Sequence, residues 1–152
     1  MAKVALGIIY TPYLPGGNEL EDAIHYASKM LSGCRNVRVF DAATDALTLL
    51  EEIGDADTLV ILGPGCEEGV KREEYMLPTR RFEIHEVPEE IRASLEGSLL
   101  VKDAVRALDA LASAEGRRLR VIAYKCGRGS CRRALREAVA EAGRLAGCLE
   151  SQ

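Results

Sequence analysis

With 152 residues, 47% of them hydrophobic and 29% charged, the chain can bury a core of its own, and we expect one domain over residues 1–152. The formal net charge of −4 argues against general nucleic-acid binding, which depends on Lys and Arg side chains that neutralise phosphates. No apolar run approaches the roughly 20 residues of a membrane span, so we expect no membrane partner and a cytoplasmic location.

The first half of the chain alternates between strand-like and helix-like segments. Near-continuous apolar runs predict buried strands at VALGIIY (4–10), VRVF (37–40) and DTLVILG (57–63). Apolar residues at helical spacing follow Asn18 and Glu21, which stand where a capping pair would. Thr44 is placed to cap a short helix that stops at Gly54.

The second half begins with two short segments, YMLP and RRFEIHEV, in which Pro78 and Pro88 predict a strand confined to the sheet margin. A helix capped by Ser98 is then expected to run to about Ala114 and to end at Gly116.

The chain closes with a last parallel strand at LRVIAYK (119–125) and a helix from Ser130 to about Cys148. Strands that are apolar on both faces, separated by amphipathic helices, indicate an α/β protein. We therefore predict a three-layer α/β/α sandwich whose sheet is mostly parallel, with one antiparallel edge strand.

Open α/β sheets bind ligands at the carboxyl ends of their strands. Four loops leave those ends: YTPYLPGG, DAAT, GPGCEEG and KCGRGSC. Gly and Pro are crowded into all of them except DAAT. A functional site is expected there.

Three of the five cysteines fall in these loops or beside them: Cys66, Cys126 and Cys131. An odd count in a reducing compartment leaves at least one free thiol. Three interpretations stay open: unliganded buried thiols, a site for a thiophilic ion such as zinc or nickel, and redox or sulfur chemistry that includes a Cys126–Cys131 disulfide.

The turn before the last helix has the composition of an anion or partner-binding site. Gly127 and Gly129 can leave backbone N–H groups at the positive end of the helix. Ser130 follows them, and cations cluster around them: Arg128, Arg132 and Arg133. Cations are disfavoured at a helix N-terminus, so an incoming phosphate, carboxylate or acidic peptide would relieve the cost. The alternative is that Arg is simply abundant, with Glu137 pairing with Arg133.

Arg outnumbers Lys fifteen to five, and the chain has two Asn and one Gln. Few thermolabile amides beside many ion-pairing groups indicate a thermophile or a GC-rich genome. In the cytoplasm of a thermophile, disulfides can persist.

Three segments resemble those of a known family: LGIIYTPYLPGGNELEDAI, VRVFDAATDALTLLEEIGDADTLVILGPG and GSLLVKDAVRALDAL. The family is the hydrogenase maturation endopeptidases, which trim the C-terminus of a nickel–iron hydrogenase large subunit, and the resemblance covers most of the chain. It implies a phosphorylase/hydrolase-like α/β fold and, as partner, a hydrogenase subunit or another metalloenzyme subunit.

The family holds nickel with two acidic residues and a His. In this chain those positions correspond to Gly16, Gly63 and Leu99, none of which is a ligand. The resemblance therefore implies a diverged member, an accessory protein that binds a partner without nickel-dependent cleavage.

Three further alternatives remain. A more distant likeness is to small sulfur-relay proteins with a reactive Cys near a late Cys-Gly turn. The cysteines could support a thiol- or metal-dependent enzyme. A maturation endopeptidase-like hydrolase could also survive through shifted ligands: Glu19, Asp22 and His85.

Overall fold

The computed structural model describes residues 3–43, 46–65, 68–79 and 101–148. These residues form a five-stranded sheet in the order β2-β1-β3-β5-β4. The strands are β1 (Val4–Ile8), β2 (Val37–Asp41), β3 (Thr58–Pro64), β4 (Val70–Leu77) and β5 (Leu119–Cys126). β1, β2, β3 and β5 run parallel, and β4 lies antiparallel to β5. The predicted sheet, with its antiparallel edge strand, is confirmed.

Helices cover both faces of the sheet. They are α1 (Ala23–Met30), α2 (Ala46–Ile53), α3 (Val101–Glu115) and α4 (Cys131–Leu145), with a 3-10 helix at Gly17–Leu20. Side chains of α1 and α4 pack with one face of β1, β3 and β5 in one buried cluster. Those of α2 and α3 pack with the opposite face in a second cluster. The three-layer sandwich is therefore confirmed. Among the described residues, none of the helices combines the length and apolarity needed to cross a membrane.

The edge strand differs from the prediction. It begins at Val70, pairs along β5 from Cys126 to Leu119 and ends at Leu77. Residues 80–87, where the prediction continued the strand, lie outside the described residues. The start was missed because VKREE is polar. These side chains stay at a half-exposed edge and form ion pairs, such as Arg72 with Glu74.

The first helical segment also differs. The chain forms the 3-10 helix first, and α1 begins after Asp22, which makes no side-chain capping bond. The capping pair predicted for Asn18 and Glu21 is therefore wrong. The caps predicted at Thr44 and Ser98 lie outside the described residues. Gly116 follows the last residue of α3, as predicted.

Candidate functional site at the carboxyl edge of the sheet

Two of the predicted loops meet at the carboxyl edge. β3 and β5 are neighbours in register, with Pro64 opposite Cys126. Beyond them, Gly65 N–H donates to the Cys126 carbonyl at 3.2 Å, and Gly127 N–H donates to the Gly69 carbonyl at 3.1 Å. The turns that follow β3 and β5 therefore lie side by side. Cys66, in the first of them, lies outside the described residues.

The four cysteines among the described residues are paired. Cys126 forms a disulfide with Cys131, and Cys34 forms one with Cys148, at Cα–Cα distances of 5.0 and 5.6 Å. The interpretation of Cys126 and Cys131 as unliganded thiols is therefore wrong. Of the three alternatives, the structure corresponds to the one that contained the Cys126–Cys131 disulfide. Cysteine spacing alone could not identify the disulfide, because a sequence looks the same whether a buried cysteine is a free thiol or is disulfide-bonded.

The disulfide bears on the predicted metal site of Cys66, Cys126 and Cys131. A sulfur bonded to a second sulfur is not a thiolate, so Cys126 and Cys131 cannot bind a metal ion in this state. The site remains a prediction for the reduced chain, with zinc or nickel as the expected ion. Within the ranges that the structure describes, no group of three or more His, Cys, Asp or Glu side chains is placed to hold a metal.

The N-terminus of α4 holds a carboxylate from the chain itself. Glu19 accepts hydrogen bonds from Gly129 N–H at 2.6 Å and from Cys131 N–H at 3.2 Å. A negative charge at this end of a helix satisfies unpaired N–H groups and complements the helix dipole. The prediction that the helix tip is open to an incoming anion is therefore wrong, because Glu19 already occupies it. The acid was missed because it comes from 110 residues away in the sequence.

The turn that precedes α4 is satisfied internally as well. Gly127 N–H donates to the Ser130 hydroxyl at 3.1 Å, in addition to the Gly69 carbonyl. The Ser130 hydroxyl lies 2.7 Å from the Gly69 carbonyl and 2.8 Å from that of Gly127. Gly127 and Ser130 therefore hold the turn together and do not point polar groups at solvent.

Two positions that the sequence resemblance equates with metal ligands are closed by packing. A Cβ atom on Gly16 would lie 2.8 Å from Cys131 Sγ and 2.8 Å from the Gly127 carbonyl oxygen. A Cβ atom on Gly63 would lie 2.9 Å from Val101 Cγ2. Neither position has room for a carboxylate side chain. Leu99, at the third position, lies outside the described residues.

The arginines of this turn face solvent. Arg128, Arg132 and Arg133 are exposed. Among the described residues Arg128 and Arg132 form no ion pair, and Arg133 reaches Glu137 only at 3.9 Å. The loop at 11–17, which packs on this turn through Gly16, carries Tyr13 with 69% of its surface exposed. We call residues 11–17 and 127–133 together the rim.

The alternative set of shifted ligands is not assembled by the described residues. Glu19 is engaged at the tip of α4, and Asp22 stands at the start of α1. His85 lies outside the described residues. A peptidase that uses these three residues stays an untested prediction.

A polar network that the sequence did not indicate lies between β4 and α4. Arg72 donates two hydrogen bonds to Glu141, at 2.8 and 2.9 Å, and the Tyr124 hydroxyl donates to the same carboxylate at 2.5 Å. Burial would raise the pKa of Glu141, but these hydrogen bonds outweigh burial and hold the pKa below its usual value. Burial, followed by the bond to Glu141, raises the pKa of Tyr124 to about 12.

Comparisons with known proteins identify no family. No family model matches the chain, and none of the curated proteins matches it. Among solved structures, it is similar to an endopeptidase from Escherichia coli determined in solution, at 12% identity over 94% of each chain and with a TM-score of 0.46. A similarity at this level assigns no activity.

Proposed function

We propose that this protein is an accessory protein of the hydrogenase-maturation-peptidase type, which binds an acidic segment of a partner protein at the rim without cleaving it. The proposed partner is a subunit of a hydrogenase or of another metalloenzyme. The family type and the partner rest on the sequence resemblance, and the mode of binding rests on the geometry of the rim.

The exposed arginines carry the proposal. Glu19 satisfies the helix tip, yet Arg128 and Arg132 remain exposed and without ion pairs among the described residues. Tyr13 stands exposed on the adjoining loop. Arg and Tyr are enriched at protein interfaces and at their energetic hot spots. A surface of this kind is suited to an acidic polypeptide.

The closed positions support the absence of the family's reaction. Room for an acidic ligand at Gly16 would require Cys131 and Gly127 to move, and at Gly63 it would require Val101 to move. Interiors are close-packed, so such displacements cost free energy. A nickel site in the family's arrangement is therefore disfavoured.

Binding of a fluorescent, blocked peptide of alternating Glu and Gly residues tests the proposal by anisotropy. We expect Arg128→Glu/Arg133→Glu to weaken binding at least about tenfold, and added salt to weaken the wild-type complex. Arg118→Glu is the matched control, because Arg118 is exposed just before the amino end of β5, on the opposite edge of the sheet. Equal affinity of the peptide for the wild type and the rim variant would refute the proposal.

A thiol–disulfide oxidoreductase is the second candidate, and the Cys126–Cys131 disulfide at the start of α4 favours it. In that reaction an external thiolate attacks one sulfur, and a second thiol resolves the mixed disulfide, leaving both cysteines reduced. Two features oppose it: both sulfur-bearing residues are buried, and Glu19 places negative charge beside Cys131.

The order in which the two disulfides are reduced decides between the candidates. Cys148 is exposed and Cys34 is half-buried. The proposed accessory protein should lose the Cys34–Cys148 bond first when a dithiol is added to the folded protein. Mass spectrometry of alkylated peptides measures which bond opens first. Preferential reduction of Cys126–Cys131 would favour the oxidoreductase.

A further inference from the structure

A groove of about 340 Å³ lies between α1 and α4, next to the rim. Ala23 and Leu135 line it, and both side chains are almost fully buried. Binding sites for small molecules occupy about 300–1,000 Å³ and combine an apolar lining with a few polar groups. The groove falls at the lower end of this range.

The two walls of the groove carry opposite charges. Glu21 and Asp22 stand on the side of α1, and Arg132 and Arg136 stand on α4. All four side chains are exposed, and within the described part of the chain none of them takes part in an ion pair. Glu19 also lines the groove, but its carboxylate is held by the Gly129 and Cys131 N–H groups at the tip of α4. The walls therefore face one another without neutralising each other.

This arrangement discriminates by the charge pattern of the ligand. A purely anionic ligand is attracted by Arg132 and Arg136 but repelled by the acids opposite. A purely cationic ligand is attracted by those acids but repelled by the two arginines. A ligand with one charge of each sign gains at both walls. Like-charge contacts that exclude wrong partners are a common source of specificity.

We infer that this groove binds a short peptide segment that carries one cationic and one anionic side chain, separated by an apolar residue. The cation lies against Glu21 and Asp22, the anion lies against Arg132 and Arg136, and the apolar residue lies over Ala23 and Leu135. The choice of a peptide rests on the proposed partner-binding function. The groove would then bind the segment of the partner that lies next to the acidic stretch held at the rim.

Three blocked fluorescent hexapeptides test the inference with the full chain. One carries a Lys and a Glu on either side of Leu, one carries two Glu at those positions, and one carries two Lys. We expect the mixed peptide to bind at least about tenfold more tightly than the other two. In ¹⁵N-labelled protein it should shift the amide signals of Ala23 and Leu135. Equal binding of the mixed and two-Glu peptides, or unchanged signals at both residues, would overturn the inference.

Charge reversal of one wall provides the matched variants. Glu21→Lys/Asp22→Lys should lose the mixed peptide and gain the two-Glu peptide, and Arg132→Glu/Arg136→Glu should lose the mixed peptide and gain the two-Lys peptide. All four positions are exposed, so circular dichroism should show folded protein for both variants. If both variants still bind the mixed peptide most tightly, the groove does not select its ligand by charge.

Failure of the groove and failure of the proposed function are distinguishable. Arg128 does not line the groove. Arg128→Glu should weaken the alternating Glu and Gly peptide while leaving the mixed peptide unaffected. If it weakens neither and the mixed peptide still binds, the rim proposal fails and the groove inference stands. If it weakens only the alternating peptide and the mixed peptide never binds, the groove inference fails alone.

Discussion

Glu19 determines the state of the helix tip at the candidate site. Its carboxylate satisfies Gly129 and Cys131 N–H groups at the tip of α4, and so it does within the chain what a bound anion would do. The arginines around the tip lie beside this internal negative charge, which offsets part of the cost of placing cations at a helix N-terminus.

Removal of this carboxylate should weaken the fold. We expect Glu19→Ala to lower the free energy of unfolding by about 1–2 kcal/mol, the usual cost of losing a helix N-cap with its charge. Urea denaturation followed by circular dichroism measures it. Glu21→Ala, an exposed acid in the same segment, is the control and should cost little. Equal losses in the two variants would show that Glu19 does not cap α4.

Gly16 is constrained in two ways, by its backbone and by its neighbours. Its φ is 84°, and a Cβ atom there would meet Cys131 Sγ at 2.8 Å. Gly129 has nearly the same φ of 83° but nothing within 4 Å of its Cβ position. Alanine substitutions at Gly16 and Gly129 therefore separate the cost of backbone strain from the cost of overpacking.

We expect Gly129→Ala to cost about 1–2 kcal/mol of unfolding free energy, from the left-handed conformation alone. Gly16→Ala should cost roughly 1–3 kcal/mol more, because the added methyl overpacks the contact with the disulfide turn. Urea denaturation of both variants measures the difference. If the two costs are the same, the loop at 11–17 does not press on the disulfide turn as described.

At the scale of elements, α4 is held to the edge strand β4 by the network of Arg72, Tyr124 and Glu141. Because the pKa of Glu141 is lower in the folded chain than its usual 4.5, the unfolded chain binds more protons once the pH falls below about that value. The stabilisation by Glu141 is thus fully present above this pH and is lost as the pH falls through the folded-state pKa.

Glu141→Gln should lower the free energy of unfolding by about 1–2 kcal/mol at pH 7, since it removes charge-assisted hydrogen bonds. The difference from the wild type should shrink as the pH is lowered towards 3. Glu73 and Glu74 also have lowered pKa values, through hydrogen bonds from Lys125 and Arg72. The free energy of unfolding should therefore still fall at acidic pH in both the wild type and the Glu141→Gln variant. Urea titrations at a series of pH values test this. A difference that does not depend on pH would contradict the network.

The sequence predicted the elements whose patterns are local. The apolar runs of β1 and β3 and the 3.6-residue pattern of α4 were sufficient because burial sets them. The start of β4 was not predicted, since its charged side chains are held by partners such as Arg120 and Lys125 on β5. A single sequence does not show which strand lies next to which charge.

At the scale of the whole molecule, two disulfides fasten the two ends of α4. Cys126–Cys131 joins the first turn of α4 to β5. Cys34–Cys148 joins the segment just after α4 to the segment that follows α1. The bonds span 5 and 114 residues of sequence. α4 is also the helix that supplies arginines to the rim and to the groove, so the disulfides fix both surfaces.

Loss of the long-range bond should cost more than loss of the short one. From loop-closure entropy we expect Cys34→Ser/Cys148→Ser to lower the free energy of unfolding by roughly 5 kcal/mol and Cys126→Ser/Cys131→Ser by roughly 2 kcal/mol. Guanidinium denaturation under non-reducing conditions compares the two variants. A larger loss for the short bond would mean that local packing at the rim outweighs chain entropy.

The location of the site could be predicted from topology, but its state could not. Parallel strands place their carboxyl ends on one edge, so the neighbouring turns after β3 and β5 followed from the order of elements. The capping of the α4 tip by Glu19 depends on a contact between distant segments. The pairing of Cys34 with Cys148 depends on how two helices lie, which the spacing of cysteines does not encode.

The central claim is that an acidic partner binds the exposed arginines of the rim while Glu19 keeps the tip of α4. Titration of ¹⁵N-labelled protein with the alternating Glu and Gly peptide tests it by NMR. We predict that signals of Arg128 and Arg133, including their side-chain N–H groups, shift on binding, while the amides of Gly129 and Cys131 stay in place. Large shifts at Gly129 and Cys131, with the Arg signals unchanged, would mean that the peptide displaces Glu19 and would contradict the claim.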